Sequence, residues 1–166
     1  MTYLIGILLF GILAIVQSTI VGTMPLLKGT ADLIMLFVVA WAIQERVETA
    51  WQWCLIGGIF ASLYSGLPFG TFIIAYAICV GITRLLKRRI WKAPFLAMLA
   101  ATFISTIIVQ LISLVSRMVL GVNIPFIDML NLILLPSLLL NLILAIPVFS
   151  IMRDMSIWLY PQELEA

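Results

Sequence analysis

Between Lys92 and Arg117 the chain runs for 24 residues, "APFLAMLAATFISTIIVQLISLVS", without a charge. That exceeds the roughly 20 apolar residues that cross a bilayer core of about 30 Å. Inside lipid every N–H and C=O must be satisfied internally, which leaves helices and closed barrels as the only spanning structures. The rest of the chain has the same character. Over 166 residues it is 64% hydrophobic and 10% charged, where a soluble domain carries about a quarter charged residues. An all-α polytopic membrane protein follows, one domain over residues 1–166, with its function inside the helix bundle.

Apolar runs separated by charge or turn signals predict six spans, near residues 3–23, 31–44, 51–65, 69–86, 93–116 and 129–152. The opening "MTYLIGILLFGILAIVQSTIVG" lacks a basic leader and a small-x-small cleavage pattern, which predicts a retained first span. Spans two and three are short, because 14 residues of helix rise only about 21 Å. A re-entrant hairpin would bury Glu45, Arg46 and Glu48 at a cost of roughly 3 kcal/mol per charge near the bilayer centre. Two short crossings, with a locally thinned bilayer or flanking residues lengthening them, are the expectation.

Charge sets the direction. "RLLKRRIWK" holds Arg84, Lys87, Arg88, Arg89 and Lys92, five of the nine basic residues, and the positive-inside rule makes this segment a cytoplasmic loop. Both termini are then cytoplasmic too. Trp41, Trp51, Trp53, Trp91 and Trp158 fall near the same expected interface, the depth that indole rings favour. Fixing topology and attracting anionic lipid is one use of the basic segment, and docking a cytoplasmic partner is another.

Polar side chains in the spans are few and patterned. In span five, Thr102, Thr106, Gln110, Ser113 and Arg117 share one helix face, beside a row of small residues at Ala97, Ala101 and Ser105. Gly11, Ser18 and Gly22 form a comparable line in span one. Such a stripe faces protein; it serves helix packing, or lines a ligand cavity or a partner groove. Asp32 and Asp128 stand at span entrances, where a carboxylate can cap free N–H groups. Both are expected on the outer side with Arg117, within reach of an ion pair. "YSGLPFG" places Gly66, Pro68 and Gly70 in a tight outer turn between spans three and four. The last span, "LLPSLLLNLILAIPVF", carries Pro136 and Pro147 eleven residues apart, hence on one helix face and bending it in a related direction. Ser137 and Asn141, one turn apart, form an interior polar row.

Chemistry is hard to place in such a chain. Histidine is absent, and Cys54 and Cys79 sit in apolar runs where a thiol acts as a small hydrophobe. Neither a nucleophile with its base nor a set of metal ligands can be assembled. The expectation is a protein that is not an enzyme, with no cofactor, no metal and no nucleic-acid partner.

Three stretches, in order, resemble the bacterial rod-shape-determining MreD family. "ADLIMLFVVAWA" (31–42) is similar to its acidic-start second span. "GGIFASLYSGLPFGTFIIAYAICVGITRLLKRR" (57–89) is similar to its third and fourth spans with their turn and basic loop. "LLPSLLLNLILAIPVFSIMRD" (134–154) is similar to its last span. Two positions depart from the pattern: Ala31 stands where the family often has proline, and Ser62 where it often has aspartate. The resemblance implies a non-enzymatic inner-membrane subunit of the cell-elongation machinery that binds MreC. Through MreC it would join a cell-wall glycosyltransferase and transpeptidase and the actin-like filament protein. It also implies a six-helix fold similar to the substrate-binding S-components of energy-coupling-factor transporters. The runner-up is therefore an S-component-like subunit that captures a vitamin or another small molecule. On the family reading, Asp32, Trp41, Gly66, Pro68, Gly70, Gln110, Arg117, Pro136, Asn141 and Pro147 are candidates for the partner interface or its framework.

Overall fold

The computed structural model describes residues 2–19, 29–89, 93–122 and 125–161. It is helical: α1 (Thr2–Thr19), α2 (Leu33–Ile43), α3 (Ala50–Tyr64), α4 (Thr71–Arg89) and α5 (Pro94–Val119) are followed by one continuous helical run. That run comprises a single turn, α6 (Phe126–Asp128), a π-helical segment (Met129–Leu134) and α7 (Leu135–Leu159). Three of these stretches, α1, α5 and Met129–Leu159, are long and apolar enough to cross a membrane, and α2 is a shorter apolar helix. The protein is a helical membrane protein.

The organising element is α2. Its sequence, LIMLFVVAWAI, is apolar on every side, and a helix without a polar face is one that is enclosed. Every residue from Ile34 to Ile43 is buried, and α1, α3, α4, α5 and α7 all pack against it. The short second span is therefore enclosed by protein along its length. The 11 residues of α2, about 16 Å long, are surrounded by protein and need not match the lipid.

The helices alternate in direction, as paired residues show. Asp32 meets Tyr76 and Gln44 meets Lys87, so α2 and α4 are parallel. Thr106 meets Asn141 and Gln110 meets Ser137, so α5 and α7 are antiparallel. Close crossings need small residues. At Gly58 an added Cβ would stand 2.8 Å from the Ile73 Cα, and at Gly57 3.0 Å from Val38. The expected small row of α5 is buried at Ala97, Ala101 and Ser105. In α1, Gly11 faces Phe60, while Gly22 lies outside the described residues.

Two expectations about large side chains need correction. Trp41 and Trp53 do not face the headgroups: they are stacked inside the bundle, 4.2 Å between ring centroids with 17° between planes, with Phe10 edge-on to Trp53. Their inward direction follows from α2 being enclosed. Trp51 and Trp158 are exposed, and Trp91 lies outside the described residues. The prolines of the last helix share a direction but not an environment. Pro136 is buried because the chain entering α2 crosses over it; a Cβ on Gly29 would be 2.8 Å from its ring and 2.7 Å from the Ile133 carbonyl oxygen. Pro147 is exposed inside α7. Nor does Pro136 break the helix. The turn before it widens to π geometry, with the Leu135 N–H bonded to the Leu130 carbonyl, which makes room for a residue that has no N–H.

Candidate functional site: a polar junction at the start of the central helix

A helix buried on all sides still has first-turn N–H groups without partners inside the helix. At the start of α2 these are met from three directions. The Asp32 carboxylate caps its own helix by accepting from the Met35 N–H at 2.9 Å. Asn141 of α7 accepts from the Asp32 N–H at 2.9 Å, and Gln17 of α1 accepts from the Leu33 N–H at 3.0 Å while its own amide donates to the Ala31 carbonyl. Ser137 accepts from the Thr30 N–H at 3.1 Å. The lead-in to α2 is thus fastened to α1 and α7 by side chains.

The carboxylate has a second partner. The Tyr76 hydroxyl, from fully buried Tyr76 on α4, reaches both Asp32 oxygens at 2.9 and 3.0 Å. Asn141 continues the network: its amide donates to Thr106 Oγ1 at 3.0 Å, which donates to the Thr102 carbonyl at 2.8 Å. Gln110 donates to Ser137 Oγ at 3.3 Å. The polar stripe of α5 and the polar row of α7 therefore meet, with Thr102, Thr106, Ser113, Ser137 and Asn141 all buried. Asn141 is 1% exposed, so each bond it makes replaces a full desolvation cost.

Outside this junction lies a cavity of about 250 Å³, lined by Gln17, Thr30, Asp32, Tyr64, Gln110, Ser113 and Arg117 among others. It opens beside the α3–α4 turn. That turn has positive φ at Gly66 (65°) and Gly70 (99°), where glycine carries no steric penalty. The Pro68 carbonyl accepts from both the N–H and the hydroxyl of Thr71, at 3.1 and 2.8 Å. Thr71 Oγ1 also lies 3.3 Å from Ser116 Oγ, tying the turn to α5 next to Arg117. Ser62, at the position where an aspartate was expected by resemblance, bonds the Gly58 carbonyl at 2.8 Å instead.

Arg117 is exposed at the mouth, and the ion pair with Asp32 or Asp128 that the sequence left open is not made. Among the described residues the one ion pair is Arg153 with Asp154, at 3.3 Å. Asp128 makes no side-chain cap bond and is exposed, standing within the first turn of a helix that begins at Phe126 and not ahead of it.

The opposite end of α2 is closed by cations. The basic segment expected as a loop is the final turns of α4, which continues to Arg89. Lys87 donates to the Gln44 carbonyl and Arg84 to the Glu48 carbonyl, both in the α2–α3 turn. Burial, with Arg84 nearby, pulls the Lys87 ammonium below the ordinary lysine range. Arg88 is exposed; the Arg89 side chain and Lys92 lie outside the described residues. Arg46 reaches the Tyr160 carbonyl at 3.1 Å, and Thr49 links the Trp41 indole to the Tyr160 hydroxyl.

Tyr76 and Gln17 are central to the junction and were not singled out in the sequence. Tyr76 brings the one hydroxyl to the apolar run between Thr71 and Thr83, and Gln17 opens the polar triplet Gln17, Ser18 and Thr19 after a long apolar run, which are the signals that mark them. Among the described residues no three His, Cys, Asp or Glu side chains are grouped as metal ligands. Comparisons with protein-family models, with curated proteins and with solved structures return no match.

Proposed function

We propose that this protein is a non-enzymatic, six-span inner-membrane subunit of the bacterial cell-elongation machinery, of the MreD kind, with the polar cavity as the face it presents to MreC. One observation carries the reading. The three stretches that resemble that family meet at one hydrogen-bonded joint: Asp32 from the first, Tyr76 from the second, Asn141 from the third. Such a joint holds helices in fixed relation, as a subunit that organises a partner requires. The cavity beside it is bordered by Asp32, Gln110 and Arg117, and the turn at Gly66, Pro68 and Gly70 stiffens its rim. Arg46, Arg84, Lys87, Arg88 and Arg153 gather at the other end, which on the positive-inside rule is cytoplasmic along with both termini.

The cavity also favours a second reading, capture of a small molecule in the manner of an S-component. Size weighs against it. About 250 Å³ falls below the roughly 300 Å³ at which small-molecule pockets begin, whereas a few inserted side chains fit. Single cysteines at Leu67, Gln110 and Arg117, tested for crosslinks to MreC in membranes, separate the two. Capture of MreC at these positions, and not from Leu139 on the exposed face of α7, is expected. A vitamin-sized ligand retained through purification, with no crosslink from any of them, rejects the scaffold reading.

A further inference from the structure

The end of the bundle remote from Asp32 holds a second recess. About 300 Å³ lies between the last turns of α4 and the α2–α3 turn, lined by Arg84, Lys87, Arg88 and Glu45. Three cations surround one carboxylate, and among the described residues none of the three is in an ion pair. Arg84 and Lys87 are each braced by one backbone carbonyl. A guanidinium has five N–H donors and an ammonium three, so most of their donors remain for a ligand. Arg88 makes no hydrogen bond among the described residues and is exposed. A tetrahedral oxyanion is the ligand that such a fork of donors suits.

The surroundings choose the form of that oxyanion. Leu85, next to Arg84, is 61% exposed. Trp51 is exposed as well, and its ring lies over Gly81, one helical turn further into the bundle than Arg84. An apolar wall thus gives way to a cationic rim within one turn of α4, as happens at the boundary between acyl chains and headgroups. We infer that this recess binds the phosphate of an anionic phospholipid, with Arg84, Lys87 and Arg88 on the headgroup and Leu85 and Trp51 against the acyl chains. The inference rests on the membrane orientation proposed above and not on the identity of the partner at the other end.

Native mass spectrometry of the full chain in detergent tests it, with phosphatidylglycerol, phosphatidylcholine of the same acyl chains, and inorganic phosphate as probes. Phosphatidylglycerol should be retained at least about tenfold over phosphatidylcholine. Arg88→Gln, which disturbs no internal bond, should reduce that retention about fivefold, the effect of one cation near a headgroup. Glu45→Gln should increase it, and Arg117→Gln at the far end should leave it unchanged. Equal retention of both lipids overturns the proposal. So does unchanged retention in both Arg88→Gln and the triple variant Arg84→Gln, Lys87→Gln, Arg88→Gln. Displacement of the lipid by equimolar inorganic phosphate would mark the recess as a soluble-anion site and overturn the lipid assignment.

Discussion

The two ends of the central helix are closed by opposite means. At its start, neutral carboxamides and a hydroxyl from distant helices accept from N–H groups, and a carboxylate sits on the positive end of the helix dipole. At its finish, Arg84 and Lys87 donate to carbonyls on the negative end and just beyond it. Both arrangements agree with the dipole, yet they differ in depth. The first lies among buried side chains, where an unmet group costs the full desolvation penalty. The second is partly wet, and water can replace what a side chain gives up. Damage at the start of α2 should therefore exceed comparable damage at its finish.

Asn141→Leu offers the largest break in that comparison. It strands the Asp32 N–H and removes the bond that Thr106 Oγ1 accepts, while the Thr106 hydroxyl still donates to the Thr102 carbonyl, and a loss of about 2 kcal/mol is expected in detergent unfolding. The same change should lower MreC capture more than Leu139→Ala, whose side chain is exposed; equal capture by the two variants would count against the junction. Gly29→Ala comes next. Its Cβ would meet backbone atoms of residues 133 and 137 within 2.8 Å, and about 1.5 kcal/mol of overpacking strain is expected. Faster hydrogen exchange at Thr30 and Asp32, with α4 unaffected, would locate the effect. Tyr76→Phe removes one charge-assisted donor from Asp32 and should cost about 1 kcal/mol by the same unfolding measurement. Lys87→Gln at the other end should cost about 0.5 kcal/mol. If Lys87→Gln proves as harmful as Asn141→Leu, the contrast between a dry end and a wet end is wrong.

Much of this was legible because lipid leaves so few options. The positive-φ glycines of the turn, the protein-facing stripe of α5 and the inward Asn141 follow from local rules about turns and about polar atoms in apolar surroundings. What could not be read was which apolar helix is innermost. Hydropathy cannot distinguish a helix wrapped in lipid from one wrapped in leucine, so in the sequence α2 reads as one more short span with its tryptophan near an interface. The lack of any polar or small-residue face in LIMLFVVAWAI was the available clue. In the site, the capping role of Asp32 could be read from position alone. Its bond to Tyr76 spans 44 residues, and no spacing rule reaches that far. The cations of α4 were legible as an orientation signal, but their bonds to the α2–α3 turn depend on how two helices come together.

The bond from the Asp32 N–H to Asn141 joins residues 109 apart, and this imposes an order on biogenesis. The innermost helix is made early, yet groups that complete its entrance belong to a helix made about a hundred residues later. Until then the start of α2 has to be sheltered by water, headgroups or an insertase. A nascent chain halted before residue 136 should therefore be inserted but unfinished, with fast hydrogen exchange at Thr30 and Asp32, and α7 acts as the latch on a bundle assembled around its second member.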